Sequence, residues 1–333
     1  MKTALVVTTI GAPNEAMRRL AAGCRAHDIH MIVIGDRSSP PDFRLDGADY
    51  YDLERQRATG LATALACPER HYARKNIGYL LAMREGAECI IETDDDNLPL
   101  PAFWAPRTRG RRARRVARAG WVNVYRYFTQ AAIWPRGLPL ASVNAGVPDP
   151  EPDSELDCPI QQGLADDNPD VDAIYRLTRP LPVRFEQATP VALGDRAFCP
   201  FNSQNTTWFR DAFALMYLPA LCSFRMTDIW RGFIAQRLAW ARDWSVLFHA
   251  ATVEQARNEH DLMRDFADEI PGYLHNAAIG AMLDELRLSG SAAGMGRNLR
   301  LAYEGMISNG WIESGERVLL DAWLEDLAVL GLA

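Results

Sequence analysis

No run of apolar residues in the chain approaches the roughly 18–20 that cross a bilayer. The amino-terminal MKTALVVTTIG lacks a basic leader region and a small-residue cleavage site. Neither insertion nor export is therefore expected; the expected location is cytoplasmic, with peripheral contact to a membrane left open. The six cysteines, Cys24, Cys67, Cys89, Cys158, Cys199 and Cys222, stand singly, with no CxxC and no Cys/His cluster at zinc spacing. Reduced, mostly buried thiols are expected. No GxGxxG follows a strand and there is no GxxxxGK[ST], so a dinucleotide dehydrogenase and a P-loop NTPase lose their main support. A zinc hydrolase has no HExxH, a serine hydrolase has no GxSxG, and the six histidines form no triad-like arrangement.

What is present is an ordinary globular composition: 333 residues, 48% apolar, and 36 Lys plus Arg against 43 Asp plus Glu, a net charge of −7. The length suits one large domain with an appendage, or two ordinary ones. The acidic balance argues against nucleic-acid binding, with one local exception. RTRGRRARRVAR, Arg107 to Arg118, holds seven arginines in twelve positions. It is read as a solvated helix or mobile loop beside the active site in preference to a site for an anionic acceptor or a membrane surface.

The opening alternates strand and helix. Ala4 to Thr9 is a β-branched apolar run, and after Gly-Ala-Pro-Asn come Met17, Leu20, Ala21 and Cys24 at helical spacing. His30 to Ile34 predicts a second strand ending in GDRSSPPD, and a helix carrying Ile77, Leu80, Leu81 and Met83 leads to a third, Glu88 to Thr93. Such alternation implies an α/β fold with a mixed, mostly parallel sheet flanked by helices, its ligand sites beyond the carboxyl ends of the strands. Residues 121 to 196 read as irregular connections, Asp228 to Ala241 as a helix, and residue 262 onward as almost wholly helical. Asp94, Asp95 and Asp96 follow the third strand directly. Like charges packed side by side are relieved by a cation, so Asp94 and Asp96 are candidate ligands for Mg²⁺ or Mn²⁺, against the plainer reading of a solvated acidic turn.

ARKNIGYLLAMREGAECIIETDDDN (73–97) resembles the corresponding stretch of the STELLO-like glycosyltransferases and, more distantly, of the reversibly glycosylated polypeptides, the UDP-arabinopyranose mutases. Further matches follow in order: NVYRYF, WPRGLPL, GLADDNPDVDAIYRL, PFNSQNTTWFRDAFALMYLPAL and MTDIWRGFIAQRLAW. The likeness runs to about residue 275, with no counterpart recognised beyond it. It implies a GT-A-like nucleotide-sugar-binding catalytic domain over 1–275 and a helical extension over 276–333. The implied function is metal-dependent transfer of a sugar from a nucleotide diphosphate sugar, a UDP-sugar, to a glycan, lipid-linked or protein acceptor in glycan or polysaccharide synthesis. A UDP-sugar mutase and a non-catalytic nucleotide-sugar-binding scaffold are the alternatives, and homo-oligomerisation is left open.

The resemblance also distributes roles. Thr8, Thr9 and Asp36 match where the nucleoside is held, and Lys75, Asn76 and Gly78 lie on the helix approaching it from the other side, with Asp95 between the metal-holding Asp94 and Asp96. For Gly78 close helix packing competes, and for the threonines strand-end propensity. Arg136 in a Pro-Arg-Gly turn suits a phosphate or carboxylate, and Trp134 a sugar ring, against the plainer readings of a surface arginine and a buried aromatic. Asn202, Gln204 and Asn205 suit sugar hydroxyls, and the pair Asp170 and Asp172 is read as structural or sugar-hydroxyl binding in preference to a second metal site. Asp228 is the candidate catalytic carboxylate facing the acceptor, or a plain helix N-cap. A late histidine is expected at the metal, His260 in preference to His249.

Overall fold

The computed structural model describes residues 1–257 and 261–332. In chain order the elements are β1 (Thr3–Thr8), α1 (Glu15–Ala26), β2 (His30–Ile34), β3 (Ala48–Tyr51), α2 (Leu53–Ala58), α3 (Ala62–Ala66), α4 (Lys75–Arg84), β4 (Cys89–Thr93) and β5 (Asn97–Pro99). The second half continues with β6 (Gly110–Val116), β7 (Gly120–Trp121), β8 (Ser154–Asp157), β9 (Ile160–Asp166), α5 (Ala173–Thr178), β10 (Val191–Leu193), β11 (Ala197–Phe198), β12 (Asn205–Phe209), α6 (Thr227–Trp240), β13 (Val246–Gln255), α7 (Leu262–Glu285), α8 (Met295–Ser308) and α9 (Glu316–Val329). The main sheet runs β3-β2-β1-β4-β12-β9-β13-β10-β6-β8, with β5 paired to β13. β3, β2, β1 and β4 are mutually parallel; β12 joins antiparallel and β9 and β13 restore a parallel pair. The architecture is the expected α/β one, a mixed sheet flanked by helices.

Alternation along β1 and β2 builds both faces. Leu5, Val7, Met31 and Val33 pack with Met17, Leu20 and Cys24 of α1, while Ala4, Val6, Ile32 and Ile34 pack with Ile77, Leu80 and Leu81 of α4. α1 starts at Asn14, whose side chain accepts from Met17 N at 2.9 Å, so the GAPN punctuation does end in a helix cap. The cysteines are free, five buried and Cys222 half-buried.

Three expectations change. The strand β3 was not anticipated. The arginine run is neither helix nor mobile loop: it forms β6, with Ala113 and Val116 buried, beside β8, whose approach brings Asp157 to Arg109 Nε at 2.6 Å. The carboxyl-terminal helices also share the main core. Asp326 of α9 accepts from Ala62 N and Thr63 N at the start of α3 (2.9 and 2.8 Å), and Glu316 accepts from Leu221 N at 2.7 Å. The boundary placed at 275/276 falls inside α7. Among the described residues no helix is long and apolar enough to cross a membrane.

Candidate active site

A cavity of about 640 Å³ opens at the carboxyl ends of β1, β2 and β4. Thr8, Thr9 and Asp36 line one side, Asp94, Asp95 and Asp96 its floor, and Arg136, Asp170, Asn202, Ser203, Gln204, Arg225 and Asp228 the far wall. The loops after the parallel strands thus meet a wall supplied by the second half of the chain, as a topological switch point requires.

The three aspartates diverge. Asp94 Oδ1 accepts from Lys75 Nζ at 3.1 Å and from Tyr72 OH at 3.0 Å. Asp95 Oδ2 accepts from Thr9 Oγ1 at 2.5 Å, and its carbonyl accepts from Asn14 Nδ2 at 2.8 Å, which ties the GAPN turn to the acidic one. Asp96 Oδ2 accepts from Gln255 Nε2 at 3.1 Å, while Asp96 Oδ1 is buried with no hydrogen-bond partner among the described residues. Burial first, then Asp94 and Asp95 beside it, push the Asp96 carboxyl up to about 7. Burial also raises Asp94 and Asp95, against the opposing pull of Lys75 on the one and the Thr9 hydroxyl on the other. Part of the repulsion is met by Lys75, one of only two lysines in the chain. Its buried ammonium also donates to Thr93 O, Tyr72 OH and Ser203 O. The remainder, concentrated on Asp96, fits a hard divalent cation, because the donors are oxygens and one of them is unclaimed. The His30, Asp49 and Glu85 group, whose ligand atoms converge within 4.8 Å, lies at the opposite, amino ends of the strands.

On the far wall Arg136 sits in a turn held by Gly137 at φ +89°, where a Cβ would lie 2.5 Å from Ile229 Cγ2. Its guanidinium grips Asp170 through Nε to Oδ1 and Nη2 to Oδ2, both 2.8 Å, and reaches Asp228 Oδ2 at 3.1 Å. Burial would raise the Asp170 carboxyl, but Arg136 outweighs it and holds it well below the usual carboxylate range. Asn202 Nδ2 also donates to Asp170 Oδ2, at 2.8 Å. Asp228 is not an N-cap: it lies in the first turn of α6, whose cap position is Met226, and its Oδ2 accepts from Ser203 N at 3.3 Å. Ser203 Oγ in turn meets Tyr72 OH at 2.5 Å. A hydrogen-bonded path therefore joins Asp94, Tyr72, Ser203 and Asp228, the carboxylates given metal and acceptor roles.

Asp36 lines the cavity with its oxygens engaged by Arg37 N and His71 N (2.6 and 2.9 Å). Four other expected binding residues leave the site. Asn76 exchanges hydrogen bonds with the Leu218 backbone, and Gly78 admits the sheet: a Cβ there would lie 2.5 Å from Val6 Cγ1. Trp134 is buried against Tyr175, its Nε1 donating to Asp172 Oδ2 at 2.7 Å, and Asn205 donates to Leu164 O and Thr252 Oγ1. Asp172 caps α5 at Tyr175 N. Lys75 acts through Asp94 and does not line the cavity. His249 is half-buried on β13 with its ring Nδ1 2.9 Å from Ala250 O, away from the cavity, and His260 lies outside the described residues. Tyr72, Ser203, Arg225, Gln255 and Arg257 were not singled out from the sequence. The rarity of lysine was an available pointer to Lys75 and, through it, to Tyr72.

Fold and cavity together define a mixed α/β domain of GT-A-like type with an acidic turn facing an arginine–carboxylate wall. The family described as STELLO glycosyltransferases matches residues 225–333. The chain is 29% identical over 356 residues to the probable glycosyltransferase STELLO2 of Arabidopsis thaliana, covering 98% of this chain and 45% of that protein. It is 29% identical over 265 residues to the probable glycosyltransferase STELLO1 of the same plant, covering 71% of this chain and 33% of that one. The chain is STELLO-like, and it spans less than half the length of these curated relatives. The likeness is not confined to the first 275 residues, since the family match includes all three carboxyl-terminal helices.

Proposed function

We propose that this protein is a metal-dependent glycosyltransferase that moves a sugar from a UDP-sugar to a hydroxyl acceptor in glycan or polysaccharide synthesis. The observation that carries the reading is the shared cavity, with nucleoside-side loops on one wall, the acidic turn on its floor and Asp228 with Arg136 opposite. Asp94 and Asp96 would hold Mn²⁺ or Mg²⁺, which when bound neutralises the departing diphosphate as a Lewis acid. Thr8, Thr9 and Asp36 offer hydroxyl and carboxylate groups to the base and ribose. Asn202 and Gln204 bring amide groups to the sugar.

Asp228 faces the acceptor. The Arg136 contact fixes the carboxylate, so it takes the hydroxyl proton in an inverting reaction or orients the hydroxyl in a retaining one. Arg136 keeps this wall from repelling an anionic donor, since Asp170 and Asp228 would otherwise stand uncompensated. A thermal-shift panel of nucleotides and UDP-sugars with and without Mn²⁺ tests the reading, because a ligand of the native state raises the melting temperature. Cation-dependent stabilisation by UDP supports it; indifference to every uridine nucleotide refutes it. Turnover of a UDP-sugar without an acceptor would instead indicate the mutase, and binding with no turnover of any UDP-sugar the scaffold.

A further inference from the structure

Two neighbouring buried oxygens are left without donors at one corner of the cavity. Asp96 is 7% exposed and Gln255 9% exposed. Gln255 Nε2 donates to Asp96 Oδ2 at 3.1 Å, which sets the two groups side by side. Asp96 Oδ1 and Gln255 Oε1 nevertheless find no hydrogen-bond partner among the described residues, although both residues line the cavity. Turning the amide over would not help, because its oxygen would then face Asp96 Oδ2. The backbone holds both positions: Ala256 N donates to Asp96 O at 2.9 Å, and Gln255 pairs with Asn97 in the β13–β5 register. A pair of acceptors, one held on β13 and one in the turn that enters β5, each lacking a donor, suits an electrophile that accepts from both.

Resting on the reading that a hard cation binds at Asp94 and Asp96, we propose that Gln255 Oε1 is a third protein ligand of that cation. The set is then two carboxylates and one neutral carboxamide, all oxygen, which favours Mg²⁺ and Mn²⁺ over the nitrogen- and sulfur-seeking Zn²⁺. Gln255 thereby fills the role that the resemblance gave to His260. Its place at the carboxyl end of β13 ties cation binding to the strand that leads toward Arg257.

The test is a Mn²⁺ titration of the full chain at fixed UDP, followed by the electron paramagnetic resonance signal of the free ion, for wild type, Gln255→Ala and Gln255→Glu. Loss of even an outer partner of a metal ligand costs about 10–100-fold in affinity. Gln255→Ala should therefore weaken Mn²⁺ binding by about tenfold or more, while Gln255→Glu, which adds a ligand charge, should tighten it severalfold. Wild-type Mn²⁺ affinity in Gln255→Ala overturns the assignment. If that variant does not fold, Gln255→Glu decides, and no gain in affinity overturns it. Unchanged Mn²⁺ uptake in Gln255→Ala with loss in Asp94→Asn/Asp96→Asn defeats Gln255 alone. UDP binding without any Mn²⁺ uptake by wild type defeats the metal half of the proposed function together with this assignment.

Discussion

Replacing Asp228 by Asn preserves shape and separates the structural from the chemical role of this carboxylate. Both oxygens face donors: Oδ1 meets Arg136 Nη1 and Nη2 at 3.3 and 3.2 Å, and Oδ2 meets Arg136 Nη2 at 3.1 Å and Ser203 N at 3.3 Å. An amide must turn its NH₂ toward one of these sets, so a donor confronts donors whichever way it sits. A hydrogen bond to a charged group is worth about 1.5–3 kcal/mol, and these bonds are long. The expected destabilisation is thus about 2 kcal/mol, a few degrees in melting temperature for a chain of this size. A simple helix cap would have tolerated the change, since Asn caps about as well as Asp. Differential scanning calorimetry gives the first number, and a transfer assay on the folded variant the second: a rate lower by about two orders of magnitude or more. A melting temperature equal to that of wild type would refute the Arg136–Asp228 pairing. A wild-type rate would remove Asp228 from the acceptor side.

Asp94→Asn with Asp96→Asn should abolish cation-dependent UDP binding, which a UDP titration with and without Mn²⁺ checks. Changing Arg111, Arg112, Arg114 and Arg115 to Gln should leave UDP affinity within a few fold by calorimetric titration, because β6 lies far along the sheet and none of the four lines the cavity. Asp172 supplies a pH signature. Burial outweighs its bonds from Tyr175 N and Trp134 and raises its pKa to about 6, so the folded state binds its proton more tightly than the unfolded chain. Its contribution is complete below about pH 4 and lost as pH rises through about 6. Asp172→Asn should therefore flatten the decline in stability between those values, by up to about 3 kcal/mol. Parallel stability–pH curves for the two proteins would exclude it.

The sequence by itself determined the parallel βα opening, because the runs that become β1, β2 and β4 are apolar enough to be buried on both faces and therefore legible locally. It also placed an acidic turn at a strand end, and a carboxylate far along the chain on a helix, since both follow from neighbouring residues. Tertiary structure alone decided what those groups do. The arginine run became a strand because an acidic partner arrives from residues 154–157, some forty positions away. Gly78, Asn76, Trp134 and Asn205 looked like recognition groups, yet each is claimed by packing or by a buried hydrogen bond whose other half lies elsewhere in the chain. Conversely, Arg136, Asp170 and Asp228 come from three segments, and Asp96 meets Gln255 across a separation of 159 residues. Local periodicity reports which face of an element is buried; the partners of a buried polar group are set by the whole fold, where burial makes each unmatched atom costly.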